Sequence, residues 1–168
     1  MSAKPGKEWE RQVGRALRQV ASHVCNSNDQ KPACDWRALL PGGLSLLVEC
    51  KETEKDELRF DVITDAEYEH LTNHAAGDGL SIVLVSRVGP NWRRAWACTW
   101  AQWQQLEREL GRRKQQQRPF RRVSKAYGGK LSLDPAPPCF VELERRDVQG
   151  IETWDLGPAL DYLCEEAE

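Results

Sequence analysis

The chain has 168 residues, of which 40% are hydrophobic and 30% charged, and it contains seven Trp. This composition indicates a folded chain rather than a disordered one, and the length suits a single domain over residues 1–168 with a sizeable core. No apolar run is long enough for a membrane span, so we expect no membrane partner.

The six cysteines include no C-x-x-C pair, which argues against a zinc or iron–sulfur site. The N-terminus lacks the pattern of a secretory signal, so we expect reduced thiols and a cytoplasmic protein. The net charge of −2 hides an asymmetry, because residues 85–130 carry twelve Lys or Arg against two Glu. A basic face of this kind is what binding to a phosphate backbone requires.

The first predicted element is a helix over residues 7–24, whose apolar residues recur at three- and four-residue spacing. A polar loop at 26–32 separates it from two predicted strands near 33–40 and 44–52. The intervening Leu40-Pro41-Gly42-Gly43 favours a type II turn, in which Gly supplies the positive φ. The sequence therefore predicts a β-hairpin here.

Strands and helices alternate through the rest of the chain. A third strand is predicted at 58–63, a helix from the capping box at Thr64 to Gly77, and a buried strand at 80–86. The remaining predictions are a strand at 93–98, a helix from a second capping box at Thr99 to about Leu110, a strand at 139–144 and a last helix from about Pro158. This order predicts an α/β fold with a mixed β-sheet flanked by helices.

The predicted hairpin brings charged residues together. Glu49 and Lys51 differ by two positions, so they project from the same face of a strand that begins with an apolar run. The turn lies midway between Asp35 and Glu49, which places the two carboxylates near each other. With the Cys50 carbonyl they are suitable ligands for Mg²⁺, for which Mn²⁺ is expected to substitute.

These groups match the needs of phosphodiester hydrolysis. A metal ion held by Asp35 and Glu49 activates water, and Lys51 offers a positive charge for the transition state. Glu10, at the edge of the apolar stripe of the first helix, is a further candidate for holding a metal-bound water. The competing interpretation is that Glu49 and Lys51 form an ordinary surface ion pair on an edge strand.

Three segments together resemble the RecU-type Holliday junction resolvases of the PD-(D/E)XK nuclease superfamily. They are Gly6-Lys7-Glu8-Trp9-Glu10, Lys31-Pro32-x-x-Asp35-Trp36 and Glu49-Cys50-Lys51-Glu52-Thr53. The resemblance extends in order to Glu69-His70-Leu71 and Leu160-Asp161-Tyr162-Leu163. It implies a restriction-endonuclease-like fold and a homodimeric, Mg²⁺-dependent endonuclease that makes paired nicks in four-way junctions. It also implies that Asp35 and Glu49 bind the metal, that Lys51 is catalytic and that Glu10 is the acid of the first helix.

The chain departs from that family in three places. The family carries a long stalk before its motif aspartate, whereas here only about ten residues separate the first helix from Asp35. Cys34 stands where the family often has Thr, and Glu67 where it often has Gln. These differences bear on junction selectivity more than on cleavage chemistry.

A basic loop at about 111–130 is the best candidate for contact with the DNA backbone. Arginine pairs phosphate in a bidentate manner, and basic residues near the N-terminus add to the same predicted surface. His70 is a further candidate for substrate contact, although an inert, partly exposed histidine is the commoner case. The predicted DNA-binding residues are Lys4, Lys7, Arg11, Lys31, Arg112, Arg113, Lys114, Arg118, Arg121, Arg122, Lys125 and Lys130.

The sequence therefore predicts a structure-selective DNA endonuclease acting on branched DNA, with a two-fold dimer supplying two active sites for paired cuts. Two alternatives stay open at this stage. One is a PD-(D/E)XK nuclease with a different DNA substrate, such as a flap, a single strand or a restriction site. The other is a non-catalytic DNA-binding module whose acids are structural.

Overall fold

The computed structural model describes residues 6–26, 34–115 and 129–167, and for residues 111–115 it describes the backbone only. It contains four α-helices: α1 (Lys7–Val20), α2 (Asp65–Ala76), α3 (Trp100–Gln115) and α4 (Gly157–Ala167). The strands are β1 (His23–Asn26), β2 (Trp36–Leu39), β3 (Ser45–Thr53), β4 (Glu57–Arg59), β5 (Leu80–Val88), β6 (Arg93–Thr99), β7 (Lys130–Ser132), β8 (Val141–Glu142), β9 (Glu144–Val148) and β10 (Ile151–Asp155).

Six of these strands form the central sheet, in the order β1-β2-β3-β5-β6-β8. Strands β3 and β5 are parallel and the other neighbours antiparallel, so the sheet is mixed. Two small sheets, β4–β7 and β9–β10, lie outside it. The predicted α/β fold with a mixed sheet flanked by helices is confirmed, and this arrangement is compatible with a restriction-endonuclease-like fold.

The two faces of the sheet bury separate cores. Helices α1 and α4 pack with Trp154 of β10 on the face that carries Trp36, Val48 and Cys50. Helices α2 and α3 pack on the opposite face, around Trp103. Because side chains alternate along β3, its odd-numbered residues point towards α2 and its even-numbered residues towards α1.

Several boundaries differ from the prediction. The first helix ends at Val20 instead of residue 24, and residues 23–26 form the edge strand β1, in which Val24 packs against the core. Strand β4 covers 57–59, so only 58–59 of the predicted strand 58–63 is extended, and 60–62 forms a 3₁₀ turn. Helix α3 continues past Gly111 to Gln115, because glycine in a helix costs only about 1 kcal/mol.

The hairpin β9–β10 was missed, and the strand expected at 139–144 is reduced to Val141–Glu142. The turn of the β9–β10 hairpin contains Gln149 and Gly150, both with positive φ, a conformation typical of tight hairpins. Among the helices that the structure describes, none combines the length and apolarity needed to cross a lipid bilayer.

Candidate active site

The β2–β3 hairpin places Asp35 opposite Glu49. Trp36 pairs with Val48 in antiparallel register, so Asp35 lies one step beyond the last pair, facing the position of Glu49. The Cys50 amide donates a hydrogen bond of 2.8 Å to Asp35 Oδ2, which holds the aspartate at this end of β3. The turn behaves as predicted, since Gly43 N donates to Leu40 O and Gly42 has a φ of 90°.

Glu49 is buried, with only 2% of its surface exposed. It lies on β3, an interior strand between β2 and β5, so the interpretation as a surface ion pair on an edge strand is wrong. Burial raises the pKa of Glu49 to about 9, and the negative charge of Asp35 acts in the same direction. Its Oε2 atom is buried and accepts no hydrogen bond from the part of the chain that the structure describes.

Lys51 links Glu49 to helix α2. Its Nζ lies 2.6 Å from Glu49 Oε1 and 3.1 Å from both carboxylate oxygens of Glu67. Burial by itself would lower the pKa of Lys51, but the two acids outweigh it and the pKa is raised. The lysine therefore stays an ammonium beside Glu49.

Glu67 stands where the resembling family often has Gln, but sequence reasoning assigned it no role in the site, whereas the structure places it against Lys51. It is the third residue of α2, where its Oε2 accepts the Thr64 amide at 2.7 Å in a complete capping box. The same carboxylate accepts the Lys51 ammonium. The capping box was visible in the sequence, but the packing of α2 against the end of β3 was not.

Two cysteines flank the acids with different roles. The Cys50 side chain points into the core on the α1 face, and burial raises the pKa of its thiol well above the usual value. Only its backbone carbonyl is therefore suited to bind a cation. Cys34 lies on the α2 face with its thiol directed at Glu49, and burial raises the pKa of that thiol as well. A neutral thiol is only a weak donor to the carboxylate.

Glu10 approaches the acids from α1. Trp36 Nε1 donates to the Glu10 carbonyl at 3.1 Å, which ties α1 to β2. Burial raises the pKa of Asp35, the Cys50 amide lowers it, and the charge of Glu10 raises it further. Lys7 Nζ lies 2.6 Å from Glu10 Oε2, and this hydrogen bond raises the pKa of Lys7. The structure thus brings Glu10 and Lys7 to the same end of the sheet.

The remaining predicted DNA contacts are only partly described. Arg11 pairs with Glu8, Lys130 with Glu57 at 2.6 Å, and His70 contacts Arg37. Residues 112–114 belong to the last turn of α3, not to a loop as predicted. The following predicted residues lie outside the described residues: Lys4, Lys31, Arg118, Arg121, Arg122 and Lys125.

The oxygen atoms of Asp35, Glu49 and the Cys50 carbonyl are the type of ligand that Mg²⁺ prefers. Within the described residues, no group of three or more His, Cys, Asp or Glu side chains is arranged to hold a metal ion. Two carboxylates and one carbonyl nevertheless suffice for Mg²⁺, which keeps several of its waters. Glu49 Oε2 is buried without a partner, and the Asp35 carboxylate lies beside it. A cation bound between them would supply the missing partner.

No protein-family model matches the chain, and no curated protein matches its sequence.

Proposed function

We propose that this protein is a Mg²⁺-dependent, structure-selective DNA endonuclease of the cytoplasm. The observation that carries the proposal is the buried, unpartnered Oε2 of Glu49, held beside Asp35 and Lys51 at the middle of β3, where β2 begins. Ionising a buried carboxyl group is costly, and one of the two Glu49 oxygens has no hydrogen-bond donor, so a cation bound there would favour the ionised form and satisfy that oxygen.

Each residue of the site has a separate role in the proposed hydrolysis of a phosphodiester. Asp35, Glu49 and the Cys50 carbonyl would hold Mg²⁺, which supplies an activated water and neutralises charge on the phosphate. Lys51 places a fixed ammonium beside that position, where negative charge grows as the phosphodiester is attacked. Glu67 orients this ammonium from α2, and Glu10 would hold a metal-bound water from α1.

Four-way junctions are the proposed substrate, and a homodimer is the proposed assembly. The resemblance of Gly6–Glu10, Asp35-Trp36 and Glu49–Thr53 to RecU-type resolvases supports both. Paired symmetric nicks need two active sites related by a two-fold axis. The basic residues at about 111–130, together with Lys4, Lys7 and Lys31, supply charge for the DNA backbone.

A second candidate is a nuclease of the same type acting on flaps, single strands or another DNA substrate. The chain between β1 and β2 favours it, since residues 27–35 are too few for the stalk with which the resembling family grips junctions.

Incubation with a synthetic four-way junction, with and without Mg²⁺, tests the first candidate. We expect two symmetric nicks that require Mg²⁺ or Mn²⁺, mapped by resolving each labelled strand. A parallel panel of flap, nicked, single-stranded and linear duplex DNA separates the two candidates. If no substrate is cleaved in a metal-dependent way, both nuclease proposals fail. The remaining interpretation is then a non-catalytic DNA-binding module whose acids are structural.

A further inference from the structure

Arg37 is an exposed arginine of β2, which begins at Trp36, and it follows Asp35 by two positions in the chain. The Cα atoms of residues two positions apart are separated by at most about 7 Å. Arg37 Nη2 lies 2.6 Å from His70 Nε2 on α2. Because a guanidinium can only donate, His70 accepts this hydrogen bond through an unprotonated Nε2, so the ring is neutral.

The positive charge of Arg37 is not balanced by an acid. Within residues 6–26, 34–115 and 129–167, no carboxylate forms an ion pair with it, and its hydrogen-bond partner is a neutral ring. Most other described arginines pair with acids. The pairs are Arg11 and Arg15 with Glu8, Arg59 with Asp61, Arg87 with Asp56, Arg93 with Glu52, Arg94 with Glu142, Arg145 with Glu152 and Arg146 with Asp155.

His74, one turn further along α2, is fixed beside this pair by a directed chain of hydrogen bonds. Ser81 Oγ donates to the Leu71 carbonyl at 3.0 Å, so it accepts from His74 Nδ1 at 2.8 Å. His74 Nε2 is therefore unprotonated and accepts from Ser45 Oγ at 2.9 Å. A Cβ at Gly79 would lie 2.3 Å from the His74 ring, so this glycine is needed for the ring to lie where it does.

The local charge favours an anion over a cation. Burial lowers the pKa of both His70 and His74, and the charge of Arg37 lowers them further. A metal ion bound by the two imidazoles would have to lie beside an unbalanced guanidinium. An anion would instead neutralise Arg37 and leave both rings in place.

We propose that Arg37, positioned by His70, binds a backbone phosphate one or two nucleotides from the bond that is cut. The phosphates of one DNA strand follow one another every 3.4 Å or so along the helix axis, so two steps span about 7 Å, which is comparable to the largest Cα separation that Arg37 and Asp35 can have. The inference rests on the proposed function, because it takes Asp35 to mark the reacting phosphate. Arg37 thereby sets which strand segment enters the site, and His70 is a positioning residue.

The test is a double-mutant cycle between Arg37→Gln and single neutral methylphosphonates placed along the junction strands, with affinity measured by fluorescence anisotropy without metal. We expect Arg37→Gln to weaken binding about 10- to 100-fold and to reduce the slope of log K against log salt by about one. A methylphosphonate at the contacted position should weaken the wild type and leave the variant unchanged. Arg18→Gln is the matched control, since Arg18 is exposed, lies over Trp36 on the opposite face and should alter neither quantity.

The outcomes separate this inference from the nuclease proposal. Coupling between Arg37 and one phosphate supports the contact even if the wild type cuts nothing, in which case only the nuclease proposal fails. Coupling at no phosphate, or a wild type that binds no DNA, overturns the inference whether or not cleavage occurs. His70→Gln should keep most of the affinity for DNA, because the glutamine amide oxygen can still accept a hydrogen bond from the Arg37 guanidinium. His70→Leu cannot accept it and should lose part of the affinity. Equal affinities of the two variants would show that His70 does not position Arg37.

Discussion

Glu49 and Glu52, two acids three residues apart on β3, differ in how many of their carboxylate oxygens have a partner. Glu52 points to the α1 face, where Oε1 accepts the Gly6 amide at 3.1 Å and Oε2 pairs with Arg93. Arg93 also donates to Ser86 Oγ at 2.9 Å and stacks over Trp9. Glu49 points to the α2 face, where Lys51 occupies one oxygen and the other is left without a partner.

The comparison distinguishes a structural ion pair from a binding site. Both oxygens of Glu52 are used, so this network can do no more than anchor the start of α1 against β3. The Glu49 network has spare acceptor capacity and a second carboxylate nearby, and that costs stability unless a cation is bound. Variants of the two networks should therefore change different properties.

The largest loss of stability is expected from Arg93→Ala. Removing one partner of this partly buried ion pair leaves Glu52 uncompensated, which should cost about 2–3 kcal/mol and lower the Tm by about 4–12 °C. Arg94→Ala is the control on the same strand, because its pair with Glu142 is exposed and should contribute less than about 1 kcal/mol. Similar Tm values for the two variants in calorimetry would contradict the anchoring role.

The largest loss of activity is expected from Lys51→Ala and Asp35→Asn. Each should reduce junction cleavage by at least about 10²–10³-fold, because each removes a charge that acts on the transition state or the metal. Binding to branched DNA should persist in both. Lys55→Ala, at an exposed neighbouring position, serves as the control in single-turnover assays. Wild-type cleavage by either site variant would rule out this site.

Glu49→Gln should stabilise the metal-free protein while abolishing its response to Mg²⁺. Replacing this buried carboxyl group, one oxygen of which has no partner, by an amide should add about 1–3 kcal/mol, or about 3–9 °C in Tm. The effect should depend on pH. The folded pKa, about 9, lies above the ordinary value of 4.5, so the folded state keeps a proton that the unfolded chain has lost. Wild-type stability therefore falls as pH rises between these values.

Thermal melts of both proteins from pH 5 to pH 9 measure this difference directly. The advantage of Glu49→Gln should be small near pH 5 and greatest near pH 9. An advantage that does not grow with pH would show that the carboxyl at Glu49 is already satisfied.

The smallest effect is expected at the capping box of α2. Thr64→Ala should cost about 1 kcal/mol and reduce cleavage several-fold, because the loosened first turn carries Glu67, which orients Lys51. Thr99→Ala removes the equivalent cap of α3, where Thr99 Oγ1 accepts from Gln102 N at 3.2 Å. It should lower the Tm at least as much and leave cleavage intact. Equal losses of cleavage would attribute the effect to stability alone.

Local patterns in the sequence were sufficient for much of the fold. The type II turn at 41–43, the capping boxes at Thr64 and Thr99 and the buried strand after Gly79 depend on a few neighbouring residues, and the structure contains all of them. The strand 23–26 and the hairpin 144–155 were missed, because their extended conformation depends on pairing and packing with distant parts of the chain.

For the site itself, sequence spacing alone determined that Asp35, Glu49 and Lys51 converge, because side chains alternate along strands and a short turn fixes the register of a hairpin. Tertiary structure alone decided which groups meet them. Glu67 reaches Lys51, and His70 reaches Arg37, only because α2 packs across the end of β3 and beside β2. Such contacts join residues 16 and 33 positions apart, and no local conformational preference encodes a distance of that kind.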